Sequence, residues 1–329
     1  MDKVAIAIPV YSNAEVVRWV IDSVLNQTHD NLSITVFDNG FADGLTEVSE
    51  VLGRFEDKRL SIVKNPTNVG HYENFRKCFR EVSNHPYGMV LPADIALLSK
   101  SVETLMSRMR ESSSEIAYSS AVHFGDLERA SAFMLSPESG FQEDNGFVSE
   151  TFKSSEIIAE FTSDLNLGGE YNRFSIFGSL GKGYLFHRVG NLESKYGFHA
   201  WEHQNSILFA APANRITLTK HFLQVALTGL EKSPGLERPR TDWTRIETIM
   251  ASYETITHLR NENHIFSGKL DREKLRSNHL KLLDHYKDVY GFHRFVAAVI
   301  KAVLRLHLSD SRALHFIFSL LVLIRFRAK

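Results

Sequence analysis

Strand and helix signals alternate through the first hundred residues, and this alternation constrains the fold more than any other feature of the chain. Short apolar, β-branched runs that predict strands occur at 4–10, 32–38, 60–65 and 87–94. Segments with apolar residues at helical spacing lie between them, at 13–28, 44–55 and 71–84. Strand–helix–strand units with short connections predict parallel strands joined by right-handed crossovers. We therefore expect an α/β fold with a mixed, mostly parallel sheet flanked by helices.

The composition excludes several classes of protein. The 329 residues are 43% hydrophobic and 23% charged, which is typical of a globular chain with a large core. The net charge of −1 gives no basic field for binding nucleic acid. A single cysteine, Cys78, rules out an intramolecular disulfide. The first strand begins at once, without the apolar segment of a signal peptide, so we expect a cytoplasmic protein.

Polar and turn residues follow each of the four predicted strands. They are Pro9–Val10–Tyr11, Asp38–Asn39–Gly40, Lys64–Asn65–Pro66 and Pro92–Ala93–Asp94. Parallel α/β sheets bind ligands outside the carboxyl ends of their strands. Asp-Asn-Gly taken alone is equally typical of a tight turn. The alternative is that the Asp38 carboxylate and the Asn39 amide, which both donates and accepts, face a base edge or a ribose.

The stretch "VAIAIPVYSNAEVVRWVIDSVLNQTHDNLSITVFDNGFADG" resembles the opening of family 2 inverting glycosyltransferases. The residues that match are Pro9, Tyr11, Ser23, Gln27, Thr28, Asp38, Asn39, Gly40 and Asp43. Ser12 and Phe41 depart from the usual Asn and Ser. "NPTNVGHYENFRKC" is similar to the family's Asn-x-Gly-x-x-x-Asn segment through Asn68, Gly70 and Asn74. The resemblance covers residues 3–105 well and 170–210 loosely, and implies a GT-A-like, Rossmann-like fold.

This resemblance implies a site for a nucleoside-diphosphate sugar. The residues expected to contact the donor are Pro9, Tyr11, Asp38, Asn39, Asn68, Gly70 and Asp94. The family usually has Asp-x-Asp after the fourth strand, where this chain has Leu91-Pro92-Ala93-Asp94 and keeps one acid. Asp94 would then hold Mg²⁺ or Mn²⁺ together with phosphate oxygens and waters. The alternative is that Asp94 caps the helix near Ser99–Lys100.

An inverting transfer also needs a base, which the resemblance places in an acidic pair near a tryptophan. Glu202 and His203 follow Trp201 here, and either could accept the proton of the acceptor hydroxyl. The alternative is that both belong to the start of a surface helix. Residues 172–188 are strand-like and interrupted by glycines, which we expect to let the backbone approach the sugar or the acceptor. A phosphate loop is not expected there, because a Gly-Lys-Ser/Thr ending and a following helix are missing.

We predict a glycosyltransferase domain at 1–230, with a nucleotide-binding half at 1–100 and an acceptor half at 101–230. A helical region would follow at 231–329 and end in a basic amphipathic tail at 291–329. That tail contains seven basic residues and one acidic residue, Asp310. Its apolar run of about a dozen residues is too short to span a bilayer. The tail could lie on the inner face of the membrane, or pack on the catalytic domain or a second subunit in a homo-oligomer.

The resemblance implies transfer of a sugar to a glycan or lipid-linked acceptor in surface polysaccharide biosynthesis. A second hypothesis is a family member that has lost its chemistry and serves as a sugar-nucleotide-binding or assembly subunit. A nucleotidyltransferase would need a glycine-rich loop bearing Lys or Arg after the first strand, and "PVYSNAE" lacks one.

Overall fold

The strands of the chain form one mixed sheet, seen in a computed structural model that describes residues 2–40, 43–136, 150–153, 177–191 and 215–227. The strands are β1 (Val4–Val10), β2 (Leu32–Asp38), β3 (Leu60–Lys64), β4 (Tyr87–Val90), β5 (Ile95–Leu97), β6 (Ile116–Phe124), β7 (Glu150–Lys153), β8 (Leu180–Lys182) and β9 (Arg215–Leu227). The helices are α1 (Ala14–Leu25), α2 (Thr46–Leu52), α3 (Gly70–Ser83), α4 (Ser101–Ser112), α5 (Leu127–Leu135) and α6 (Gly183–Asn191). The alternation predicted for the first hundred residues is confirmed.

Parallel pairing holds the first half of the sheet together. The strand order is β3-β2-β1-β4-β8-β6-β9-β5, with β7 on the side of β9, and the first four strands are mutually parallel. Antiparallel pairs join β8 to β4 and to β6, and β5 and β7 to β9. The predicted α/β fold is therefore confirmed, and its parallel character is strongest in the half expected to bind the nucleotide.

The core lies on both faces of β1, because that strand is central and is covered by helices. Every residue of Val4–Val10 is buried, which explains the continuous apolar run in the sequence. Helix α1 begins after Asn13, whose side chain accepts a hydrogen bond from the Val16 amide. Its apolar face packs into the same core through Val17, Val20, Ile21 and Val24.

The Ser-x-x-x-Gln-Thr motif ties the end of α1 to the segment that follows Asp94. The Leu97 amide donates to Ser23 Oγ at 3.1 Å. Gln27 Nε2 donates to the Leu98 carbonyl at 2.8 Å, and Gln27 Oε1 accepts from the Val102 amide at 3.1 Å. These buried bonds give the motif a structural role: they fix where the chain runs after β4.

Residues 183–191 form helix α6, so the prediction of a strand-like segment at 172–188 is wrong for this part. The periodicity of the buried residues Leu185, Phe186 and Val189 is helical, and Phe186 stacks on Phe79 of α3 at 6.0 Å between ring centroids. The expectation that the glycines serve a sugar is also corrected at Gly183. A Cβ there would overlap the carbonyl oxygen of His85, so this glycine allows the protein's own backbone to approach.

The C-terminal predictions fall outside the described residues. The boundary at 230/231, the helical region at 231–329 and the tail at 291–329 stay predictions. Within the described ranges, no helix combines the length and the apolar character needed to cross a membrane.

Substitution of Gly183 by alanine should destabilise the fold, because the new methyl group would overlap backbone that cannot move independently. We expect the free energy of unfolding to fall by about 2–4 kcal/mol in denaturant titration. Gly125→Ala is the matched control, since a Cβ at Gly125 has no heavy atom within 4 Å. Equal stability of the two variants would contradict the contact with His85.

Candidate functional site

The register of the parallel strands aligns their carboxyl ends at one edge of the sheet. Val10 lies opposite Asp38, and Asp38 lies opposite Lys64. Strand β4 is aligned with β1 in the same way, because Val90 lies opposite Ala7 and the Leu91 amide donates to the Ala7 carbonyl at 3.0 Å. The residues that follow β1, β2, β3 and β4 therefore leave the sheet along the same edge.

Three of these strand ends meet in a hydrogen-bonded group at the surface. Tyr11 Oη donates to Asp43 Oδ2 at 2.7 Å, and Asn68 Nδ2 donates to the same oxygen at 2.6 Å. Asn39 Nδ2 donates to Asn68 Oδ1 at 2.8 Å. Asp43 and Asn68 are exposed and Tyr11 is half-buried, so this group offers polar atoms to a ligand.

The same chain of hydrogen bonds continues inward. Asn65 Nδ2 donates to Asn39 Oδ1 at 3.1 Å and to Asn74 Oδ1 at 2.9 Å. Asn74 Nδ2 donates to the Phe37 carbonyl at 3.1 Å, and Lys77 Nζ donates to Asn65 Oδ1 at 2.7 Å. Asn39, Asn65 and Asn74 are at most 3% exposed. Buried amides of this kind are stable only when their donors and acceptors are satisfied, so the network fixes the loops it joins.

The network also supplies the N-terminus of α3 with hydrogen-bond partners. Val69 stands at the cap position without a capping side chain of its own. Its amide donates to Asn39 Oδ1 at 3.0 Å, and the Gly70 amide donates to Asn68 Oδ1 at 2.9 Å. Gly70 has a φ of 78°, which favours glycine and explains this residue in the motif.

Asp38 and Pro9 are placed differently from their prediction as donor-contacting residues. Asp38 is fully buried; Oδ1 accepts from the Gly40 amide at 3.0 Å and Oδ2 from Ser49 Oγ at 2.9 Å. Pro9 is buried within β1. A Cβ on Gly40 would overlap the Tyr11 carbonyl oxygen. These residues therefore shape the turn that carries Asn39, and the exposed acid that follows this turn is Asp43.

Asp94 follows β4 at the same edge. Its side chain is exposed, yet the surrounding protein partly removes water, and this desolvation raises the pKa of its carboxyl. The alternative that it caps the next helix is wrong, because α4 begins at Ser101 after Lys100 with no side-chain cap. Among the described residues, no three His, Cys, Asp or Glu side chains cluster as a metal site. One exposed carboxylate still suits Mg²⁺ or Mn²⁺ if a phosphate supplies further oxygens.

Two residues of the network were not predicted from the sequence, and two predicted site residues lie outside the described ranges. Glu202 and His203 lie outside the ranges that the structure describes, so their role as base stays a prediction. Asn65 and Lys77 were not predicted as site residues. The polar end of β3 pointed to Asn65, but nothing in the sequence pattern distinguished Lys77 from other basic residues of α3.

Residues 5–161 match the model of glycosyl transferase family 2. This segment of the chain belongs to the family. Among curated proteins, the chain is 25% identical over 204 residues to the glycosyltransferase GlyA of Streptococcus pneumoniae serotype 4. The alignment covers 59% of the present chain and 29% of GlyA, so the chain spans less than a third of that protein's length.

Solved structures confirm the GT-A-like fold of the chain. Residues 1–349 of TarS from S. aureus, in complex with UDP-GlcNAc, superpose with a TM-score of 0.58 at 12% identity, covering 94% of this chain and 82% of that one. The mannosyltransferase PcManGT from Pyrobaculum calidifontis, in complex with GDP-Man and Mn²⁺, superposes with a TM-score of 0.52 at 14% identity, covering 98% of this chain and 80% of that one. At such identities the likeness establishes the fold alone.

Replacement of Asn74 by leucine should destabilise the protein although the volumes are similar. The Phe37 carbonyl would lose its side-chain donor, and one hydrogen of the Asn65 amide would lose its partner while staying buried. We expect the free energy of unfolding to fall by about 2–3 kcal/mol in chemical denaturation. Asn84→Leu, at the exposed end of α3, should change it by less than about 0.5 kcal/mol. Similar losses for both variants would argue against the network.

The titration of Tyr11 should report its bond to Asp43. The pKa of Tyr11 is raised from its ordinary value of 10.0, first because the neutral phenol donates to Asp43 and also because burial and the nearby negative charge disfavour the phenolate. Asp43→Ala should therefore lower the pKa of Tyr11. Ultraviolet absorbance titration, with Tyr11→Phe to assign the signal, tests this; an unchanged curve in Asp43→Ala would contradict the contact.

Proposed function

We propose that this family 2 chain transfers a sugar, with inversion, from a nucleoside diphosphate to a glycan or lipid-linked acceptor. The observation that carries the proposal is the meeting of Tyr11, Asn39, Asp43 and Asn68 at the carboxyl edge of the sheet, with Asp94 in the segment that follows β4. Family membership and a fold shared with proteins solved with UDP-GlcNAc and GDP-Man support it.

The exposed group at Asp43 suits a nucleobase that offers an N–H. Asp43 Oδ2 already accepts two hydrogen bonds, and Oδ1 has no hydrogen-bond partner in the described part of the chain. An ionised carboxylate only accepts, so Oδ1 matches the N3–H of uracil or thymine or the N1–H of guanine. Cytosine and adenine present an acceptor at the corresponding ring nitrogen. The donor is therefore a derivative of UDP, dTDP or GDP.

Asp94 suits the diphosphate end of such a donor. Its exposed carboxylate would hold Mg²⁺ or Mn²⁺, whose coordination is completed by phosphate oxygens and water. A bound cation of this kind stabilises the negative charge that builds up on the departing nucleoside diphosphate. Because β4 runs parallel to β1, the segment that carries this acid leaves the sheet at the same edge as the segment that carries Tyr11.

Transfer would proceed by a single displacement. Glu202 or His203 takes the proton of the acceptor hydroxyl, whose oxygen attacks the anomeric carbon opposite the leaving group. The new carbon–oxygen bond forms as the bond to the diphosphate breaks, and its electron pair leaves with the nucleotide. The configuration at the anomeric carbon is thereby inverted. The basic tail at 291–329 would hold the protein on the inner face of the membrane, close to a lipid-linked acceptor of surface polysaccharide synthesis.

A second function, nucleotide-sugar binding without transfer, is favoured by one observation. The family's usual pair of acids after the fourth strand is reduced to Asp94 in this chain. Release of nucleoside diphosphate from UDP-sugar, dTDP-sugar and GDP-sugar donors distinguishes the two functions. A glycosyltransferase should release it, and Glu202→Gln or His203→Gln should slow the release without loss of donor binding. Binding without release in the wild type would favour the second function.

Nucleotide binding tests the site that both functions share. We expect UDP, dTDP or GDP to bind the wild type more tightly with Mn²⁺ than without it in isothermal titration calorimetry. CDP and ADP should bind at least about tenfold more weakly than the preferred nucleotide, since they present an acceptor to Asp43. Absence of binding by all of UDP, dTDP and GDP would sink the proposed site.

The contribution of Mn²⁺ to this affinity should depend on pH through Asp94. Because the pKa of Asp94 is raised, its carboxyl is protonated at higher pH than that of an ordinary aspartate. The Mn²⁺-dependent gain in affinity should therefore decline on acidification from pH 7, and Asp94→Asn should abolish it. Asp30→Asn, an exposed change before β2, is the matched control. A full Mn²⁺ effect in Asp94→Asn would exclude this role.

A further inference from the structure

All hydrogen bonds along one line through the network point in the same direction. Lys77 donates to Asn65, Asn65 to Asn39, Asn39 to Asn68, and Asn68 to Asp43. The donor–acceptor distances along this line are 2.7, 3.1, 2.8 and 2.6 Å. The line, which we call the amide relay, begins at the half-buried cation of Lys77 and ends at an exposed carboxylate. Cation, amide dipoles and anion are thus aligned head to tail.

The direction of the amide relay follows from the chemistry of its ends and from two backbone amides, because Val69 donates to Asn39 Oδ1 and Gly70 to Asn68 Oδ1. A lysine ammonium only donates and a carboxylate only accepts, whereas an amide has one end of each kind. Asn65 must turn Oδ1 toward Lys77, which leaves its Nδ2 for Asn39 and Asn74. Turning Asn65 over would place its amino group against Lys77 and its oxygen against two oxygens. Together with the Asn39 and Asn74 oxygens, Lys77 therefore holds the orientation of a buried amide that contacts Asn39 directly.

The surroundings of Lys77 are unusual for a half-buried cation. Its neighbours on α3, Arg76 and Arg80, both pair with Glu73, at 2.9 and 2.8 Å. Lys77 has no carboxylate within 4.0 Å in the described ranges, and its hydrogen bond goes to the neutral Asn65 amide. Partial burial of a charge without a counter-ion is unfavourable, so its retention here calls for a compensating interaction. Aligned amides that end at Asp43 provide one.

We propose that Lys77 is a positioning residue for the nucleotide donor, acting through Asn65 and Asn39 without touching the ligand. This inference rests on the proposed function. With the amide relay in its observed direction, Asn68 Nδ2 and Tyr11 Oη both hold Asp43 Oδ2, and Oδ1 remains to accept from the base. A reversed Asn68 would present its oxygen to Asp43 and repel the carboxylate. Lys77 thereby supports both the affinity for the nucleotide and the discrimination between bases.

Two substitutions separate the direction of the relay from the charge of Lys77. Lys77→Met removes the donor and leaves Asn65 Oδ1 buried without a partner. Asn65→Asp offers Lys77 a carboxylate, and so strengthens that contact, but removes both N–H donors of residue 65. Lys77→Arg keeps a cationic donor and should restore function.

The experiment measures dissociation constants by calorimetry for the wild type's preferred nucleotide and for CDP. Lys77→Met and Asn65→Asp should each weaken the preferred nucleotide about tenfold. Both variants should also reduce the difference in affinity between the preferred nucleotide and CDP. The dissociation constants of Lys77→Arg should stay within about twofold of the wild-type values. Lys58→Met and Asn84→Asp make the same charge changes at exposed positions at the opposite edge and should bind like the wild type. Thermal unfolding of each variant confirms that it is folded.

The outcomes separate this inference from the proposed function. A wild type that binds no nucleotide refutes both. If the wild type binds and both variants match their controls, the positioning role is refuted while the function stands. Loss of affinity in Lys77→Met alone would show that the charge acts directly, which also refutes the relay. If Lys77→Met does not fold, the comparison of Asn65→Asp with its control Asn84→Asp tests the proposal. Equal affinity and equal base preference in these two variants would refute it.

Discussion

The side-chain amide of Asn39 is the contact on which the arrangement of this sheet edge depends. Its oxygen accepts from the Val69 amide and from Asn65, and its nitrogen donates to Asn68, so one residue joins the ends of β2 and β3 to the start of α3. Only 3% of Asn39 is exposed. Water cannot substitute for these partners, and each bond is stronger in the surrounding low dielectric than it would be at the surface. The loops are therefore held in place before any ligand arrives.

The polar residues of this edge form two groups, one buried and one exposed, with different roles. Asp38 and Asn65 are buried and satisfied by the protein, so they set the course of the backbone. Asp43 and Asn68 are exposed, and they are available to a ligand. The two groups are connected, because Asn39 touches Asn65 on one side and Asn68 on the other. A preorganised rim of this kind reduces the ordering cost that binding would otherwise incur.

Family membership and the local geometry explain different parts of the molecule. The shared GT-A-like fold accounts for the parallel strands and for the common edge at which they end. The single acid after β4 and the Lys77–Asn65 contact are features of this chain's own side chains. At 12–14% identity to solved relatives, such features have to be derived from the residues present and their contacts.

The sequence by itself determined the strands and helices of the first hundred residues, since β1 is buried on both faces and α1 on one, and each burial pattern has its own period. It also placed polar residues at the strand ends. Only the tertiary structure decided whether Asp38 or Asp43 faces solvent. Asp38 accepts a hydrogen bond from Ser49, eleven positions away, and is buried, whereas Asp43 accepts from Tyr11 and Asn68 at the surface. Helix α6 was missed because glycine disfavours a helix and the aromatic residues after Gly183 favour a strand locally, and packing against α3 overrides these preferences. Hydrogen-bond partners distant in sequence leave no periodic signal, so Lys77 became meaningful only once folding had brought Asn65 beside it.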